Sequence, residues 1–317
     1  MSTTSIQYSV ERYLEERRRL GFELRIAGAQ LMNFARYADA NDHRGPLTID
    51  LQLAWARERG TKPITWARRL EVVRPFAKYY CQFEPDTAVP DAKTFGPGHR
   101  RLAPHIYTHQ EILDLLQEAG RLRPLGGLRP ATYRTLFGLI ATAGLRLSEA
   151  LYLRVADVDL LRGLLTVRET KFRKSRLLPL HASTLAALRI YRDMRDQTVR
   201  SEADMPFFAS SSGAELPSRT VHEVFVGLRR RLGWVARGDH PNPRIHDLRH
   251  TFAVRRIQLW HQSGVPLDQG TFWLSTYLGH AKISDTYWYL TGTPELLSIV
   301  AARFECFVRG AEEVNDA

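Results

Sequence analysis

The chain has 317 residues, 44% of them hydrophobic and 25% charged, which suffices for two buried cores and is ordinary for a folded protein. Its 45 Lys and Arg against 34 Asp and Glu give a formal charge of +11, which favours a polyanionic partner and disfavours a basic one. Cys81 and Cys306 lack metal-type spacing, and no apolar signal core or membrane-length run occurs. These features argue against a disulfide framework, a zinc site or a membrane anchor, and lead us to expect a cytoplasmic protein with no metal.

Helical patterns fill the first eighty residues. Val10, Tyr13 and Leu14 share one helical face, and Arg17, Arg18 and Arg19 close that helix before Gly21. A second helix is expected over 27–40, with Leu31, Phe34, Ala35 and Ala38 inward, and a third over 50–59. A fourth, over 64–80, carries Leu70, Val73, Phe76, Ala77 and Tyr80. Pro75 lies inside it and is expected to kink or break it. Arg68, Arg69, Arg74 and Lys78 fall on its polar side and are candidate contacts to a phosphate backbone.

Periodicity stops in FEPDTAVPDAKTFGPGHRRLAP. Its Pro and Gly content predicts an interdomain linker over 84–105, separating a helical domain (1–83) from a second domain (106–317). His99, Arg100 and Arg101 make that linker basic, and the two arginines join the candidate backbone contacts.

Beyond it, helical patterns run over 109–119 and 132–142, with RLRPLGGLRP as a loop between them. Two short strands, 163–168 and 175–180, flank the charged turn ETKFRK. Helices are expected again at 182–195, 218–232, 246–261, 269–278 and 294–308. The fold class is therefore mainly α with a small antiparallel β-sheet, as an N-terminal helical domain and a mixed α/β second domain.

Phosphate-handling side chains are spread in order along this second domain. Arg146 and Glu149, three apart at a helix start, share a face, so the carboxylate can orient a guanidinium able to grip phosphate bidentately. Lys171 sits in the turn between the strands, where it can deliver a proton, although Arg173, Lys174 and Arg176 stand close by. His246 and Arg249 are i and i+3 on one helix. His250, one position further round, is expected to pack or to bond the backbone. His280 follows Gly279 at a helix end. Tyr287, Trp288 and Tyr289 form an aromatic cluster from which a phenol can act as nucleophile if neighbouring groups stabilise the charge.

Taken together, ATAGLRLSEAL, KFRKSRLLPL, HDLRH, LGH and DTYWYL resemble the tyrosine recombinase, or phage integrase, family from about Tyr107 onward. The resemblance implies the catalytic set Arg146, Lys171, His246, Arg249, His280 and Tyr289, supported by Glu149. Tyr289 is the implied nucleophile because it lies nine residues beyond His280. The N-terminal helices look like the family's core-binding domain. What the resemblance implies is cleavage and rejoining of double-stranded DNA through a 3′-phosphotyrosyl link, without cofactor, by a homotetramer acting on two DNA sites, alone or with related recombinases. A type IB topoisomerase and a non-catalytic DNA-binding regulator are the alternatives. One departure stands out: LWHQSGVPLDQGTFW makes the segment between His250 and His280 longer than usual, and a loop insertion is expected there. The C-terminal segment 295–309 is a plausible donor to a neighbouring subunit.

Overall fold

The computed structural model describes residues 5–168 and 175–292, together with Leu297 and Ala301. Lys171, Cys306 and nearly all of the predicted C-terminal helix lie outside the described residues. The chain forms two compact units, Met1–Arg101 and Leu102–Ala317.

The first unit holds α1 (Ile6–Arg19), α2 (Arg25–Ala40), α3 (Ile49–Arg57) and α4 (Pro63–Tyr80). The apolar stripes read from the sequence meet in one core of Val10, Leu14, Leu31, Phe34, Trp55 and Phe76. Ser5 caps α1, and the Asp39 carboxylate at the end of α2 accepts the Ile6 and Gln7 amides, so one helix end satisfies the start of another. Pro75 does not break α4, which continues to Tyr80. Burial of Val73, Phe76, Ala77 and Tyr80 on either side of the proline offsets the lost donor.

Much of the segment read as a linker is bonded to this unit. The Ala88 amide donates to Leu47 O, Arg74 donates to the Pro90 and Asp91 carbonyls, and Arg68 donates to Gly98 O.

The second unit is built around α6 (Leu128–Ala143), which packs against α5 (His109–Gly120), α8 (Ala182–Thr198) and α10 (Ile245–Gln262). The loop predicted before α6 is shorter than expected, because Leu128 to Pro130 already form the first helical turn. Pro is tolerated there because that turn leaves its amides unpaired anyway. Next come the one-and-a-half-turn helix α7 (Leu147–Leu151) and a three-stranded antiparallel sheet of β1 (Val158–Asp159), β2 (Leu164–Val167) and β3 (Arg176–Pro179). Leu165 faces Leu178 and Val167 faces Arg176 across the hairpin. The first strand is too short to leave a periodic signal in the sequence.

α9 (Ser218–Arg231), α11 (Leu267–Leu278) and α12 (Ser284–Gly292) complete the unit. The stretch expected as a loop insertion is instead mostly helix: α10 runs to Gln262 and α11 begins at Leu267. Trp260 and Trp273 pack edge to face between the two helices, with centroids 5.9 Å apart. A second small core, of Phe252, Val254, Ile257, Leu274 and Leu278, also takes in Tyr289. Among the described residues, no helix is long and apolar enough to cross a membrane.

Candidate active site

Two glycines fix the walls of the site. α6 ends at Gly144 and α11 at Gly279, with φ of 61° and 65°. A Cβ on Gly144 would sit 2.4 Å from the Phe252 ring, so the helix end can approach α10 only as glycine.

Arg249, on α10, spans the gap between these two helix ends. Its Nη1 donates to Gly144 O at 2.7 Å and its Nη2 to Leu278 O at 2.8 Å. Both acceptors lie at helix C-termini, where the backbone dipole favours a cation. Burial first, and then the neighbouring Arg146 charge, pull its pKa down to about 10. It remains a cation at neutral pH.

Arg146 precedes the first residue of α7, and its amide donates to Glu149 Oε2 at 2.9 Å. Its Nη1 donates to Glu149 Oε1 at 2.6 Å while its side chain stays 31% exposed, which leaves it open to an incoming anion. Glu149 is nearly buried. Burial alone would raise its pKa, but the Arg176 hydrogen bonds and charge, the Arg146 amide and the Arg249 charge hold it at about 2.

Arg176 is the residue that sequence reasoning passed over, seen only as one basic neighbour of Lys171. Its Nη1 and Nη2 donate to the two Glu149 oxygens at 3.2 and 2.9 Å. The available signal is its place as first residue of β3, two before the buried Leu178, so that both share a strand face.

His246 begins the exposed side of α10. Crowding by protein first, and then the Arg249 and Arg244 guanidiniums, pull its pKa to about 4, while the ring keeps an exposed edge. Asp247 caps the same helix, accepting the Arg244 amide at 2.8 Å. His280 pairs its Nδ1 with Thr286 Oγ1 at 2.6 Å, and burial followed by the Arg249 and Arg146 charges brings it to about 4. Its ring lies nearly parallel to that of Tyr289, with centroids 6.3 Å apart.

Tyr289 is 2% exposed, whereas Tyr287 is 41% exposed. The Tyr289 hydroxyl meets His250 Nδ1 at 3.2 Å and lies within reach of the Arg249 and Arg146 charges. Burial raises the phenol pKa, although Arg249 and Arg146 act against that rise. His250, expected to pack or bond backbone, therefore takes a side-chain partner from α12. Its i, i+4 relation to His246 carries the signal, since that spacing puts both rings on one helix face.

Arg146, Glu149, His246, Arg249, His280 and Tyr289 thus come together around one locus, while Lys171 lies outside the described residues. Among the described residues, no group of three or more His, Cys, Asp or Glu is placed to hold a metal ion. The candidate backbone contacts divide. Arg69 is buried, with its guanidinium 4.0 Å over the Trp55 ring and bonded to Glu58, while Arg68 and Arg74 are tied to backbone carbonyls. Lys78, Arg100 and Arg101 are exposed.

Residues 106–295, more than half of the chain, match the family model described as the phage integrase family. The chain is a tyrosine recombinase of this family. It is 40% identical over 307 residues to y4rB of Sinorhizobium fredii, named as an integrase/recombinase, which covers 95% of this chain and 98% of that one. Tyrosine recombinase XerC of Bacillus subtilis is 24% identical over 294 residues, covering 92% and 88%. Among solved structures, the XerH site-specific recombinase, bound to palindromic difH substrate in a post-cleavage complex, superposes with a TM-score of 0.65 at 18% identity. That match covers 94% of this chain and 85% of XerH, so the recombinase shares its fold.

Proposed function

We propose that the recombinase cuts and rejoins double-stranded DNA, with Tyr289 attacking the scissile phosphate to leave a 3′-phosphotyrosyl link and a free 5′-hydroxyl. The observation that carries this reading is the burial of Tyr289 within its own chain, against His250 and His280 and within reach of the Arg249 and Arg146 charges. Arg146, Arg249 and His280 hold the non-bridging oxygens of the phosphate, where preorganised donors stabilise the charge that builds at phosphorus. Glu149 orients the guanidiniums. Lys171 protonates the leaving 5′-oxygen, and His246, at the open edge of the site, exchanges protons near the tyrosine. The covalent link conserves the phosphodiester energy, so a 5′-hydroxyl can reverse the step without nucleotide or other cofactor.

The phosphate enters past Arg146 and His246, whose side chains keep an exposed edge. The first unit serves as the core-binding domain, with Lys78, Arg100 and Arg101 against the DNA backbone. The assembly is a homotetramer on two DNA sites, with or without related recombinases, working in the cytoplasm on integration, excision or transposition of a mobile element.

The test is a nicked suicide duplex, which traps the covalent adduct by losing the short strand. Wild-type protein and Tyr287→Phe are expected to give a protease-sensitive adduct without metal, and Tyr289→Phe none. An adduct from Tyr289→Phe, or cleavage only with a divalent ion, overturns the reading.

A further inference from the structure

The hydroxyl of Tyr289 has a partner that the catalytic set does not include. The Arg249 guanidinium acts on the phenol but only donates hydrogen bonds, so it cannot take the phenol's proton. His250 Nδ1 lies 3.2 Å from that oxygen. The His250 and Tyr289 rings meet at a centroid distance of 5.5 Å and 63°, and Trp288 closes the other approach at 5.5 Å. His246 stands next outward, its ring crossing that of His250 at 4.6 Å and 89°.

We propose, on the reading that Tyr289 is the nucleophile, that His250 is a further catalytic residue: its Nδ1 takes the Tyr289 hydroxyl proton as the phenolic oxygen bonds to phosphorus. The bond formed is Oη–P and the bond broken is P–O5′. The hydroxyl proton moves to His250, and the leaving 5′-oxygen takes a proton from the acid assigned to Lys171. In resealing, the 5′-hydroxyl attacks, P–Oη breaks, and His250 returns the proton to the tyrosine.

The electrostatics suit this cycle. Burial first, then His246, Arg244, Arg249 and His240, hold the free imidazole well below its ordinary pKa, so it waits as a neutral acceptor. A phosphate seated on Arg146 and Arg249 brings negative charge close to the ring. That charge favours the imidazolium at the moment the proton arrives.

The experiment is single-turnover cleavage of the suicide duplex by His250→Ala and His250→Asn, on an ordinary phosphodiester and on one with sulfur as the bridging 5′ atom. A sulfur leaving group departs without a proton, but the tyrosine must still lose its own. Both variants are expected to form adduct about 10²-fold more slowly on both substrates, with DNA affinity held within about twofold. His250→Asn keeps an acceptor close to the Nδ1 position yet takes no proton, so it carries the test if His250→Ala does not fold. Wild-type rates on both substrates, or a defect that sulfur erases, overturn the inference. If Tyr289→Phe still makes adduct, the nucleophile reading itself falls. If Tyr289→Phe is dead and the His250 variants are normal, only the role of His250 falls.

Discussion

Arg176 and Glu149 form a two-pronged ion pair that joins the β-hairpin to the start of α7. The pair is dry on both sides, with side chains 12% and 6% exposed, and Glu149 hands the constraint on to Arg146. The hairpin is therefore anchored to Arg146 through one carboxylate.

Removing Arg176 takes two hydrogen bonds from a buried carboxylate that keeps its Arg146 contacts. Arg176→Met is expected to destabilise the protein by about 1.5–3 kcal/mol in urea unfolding. Arg176→Lys keeps the charge without the fork and should recover only part of that loss. If Arg176→Met costs nothing, the pair is not holding the hairpin.

Acid should find the same carboxylate. The Glu149 pKa falls from an ordinary 4.5 to about 2 on folding, so its contribution is complete above pH 4.5 and is lost as pH falls toward 2. Its size is on the order of 3 kcal/mol. A Glu149→Gln protein starts out less stable, yet should show a flatter decline across that window. Parallel slopes for the two proteins would refute the assignment.

Gly279 is doubly constrained. Its φ of 65° penalises any side chain, and an added Cβ would lie 2.9 Å from Arg176 Nη1, whose position the Glu149 pair fixes. Gly279→Ala is expected to cost about 1–2 kcal/mol and lower the melting temperature. In the Arg176→Met background it should cost less, because the crowding atom has gone. Strict additivity would show that backbone strain alone sets the penalty.

The basic residues of the first unit should separate by assay. Arg69→Ala removes the contact over Trp55 and is expected to cost about 1–2 kcal/mol of stability, with little effect on the salt slope of DNA binding. Lys78→Ala and Arg100→Ala should leave stability within about 0.5 kcal/mol. Each should instead reduce the dependence of log K on log salt by about one. The opposite partition would show that burial misleads here.

The primary chain determined a good deal by itself. Apolar spacing placed the four N-terminal helices and most of the second unit within a few residues, since side-chain burial in a helix must recur every three or four positions. The same rule set Arg146 beside Glu149 and His246 beside His250, because neighbours one turn apart share a face whatever the rest of the chain does. Where the pattern was weak it misled: Pro75 leaves no break, and the stretch 259–273 is mostly helix rather than an inserted loop.

Only the tertiary structure decided which long-range partners those faces would meet. Hairpin register turned Arg176 toward a carboxylate 27 residues earlier in the chain, and the packing of α12 on α10 brought Tyr289 to His250 from 39 residues away. Such pairings depend on how helices and strands cross in space. Local periodicity carries no record of that, because each element buries its apolar face equally well against many neighbours.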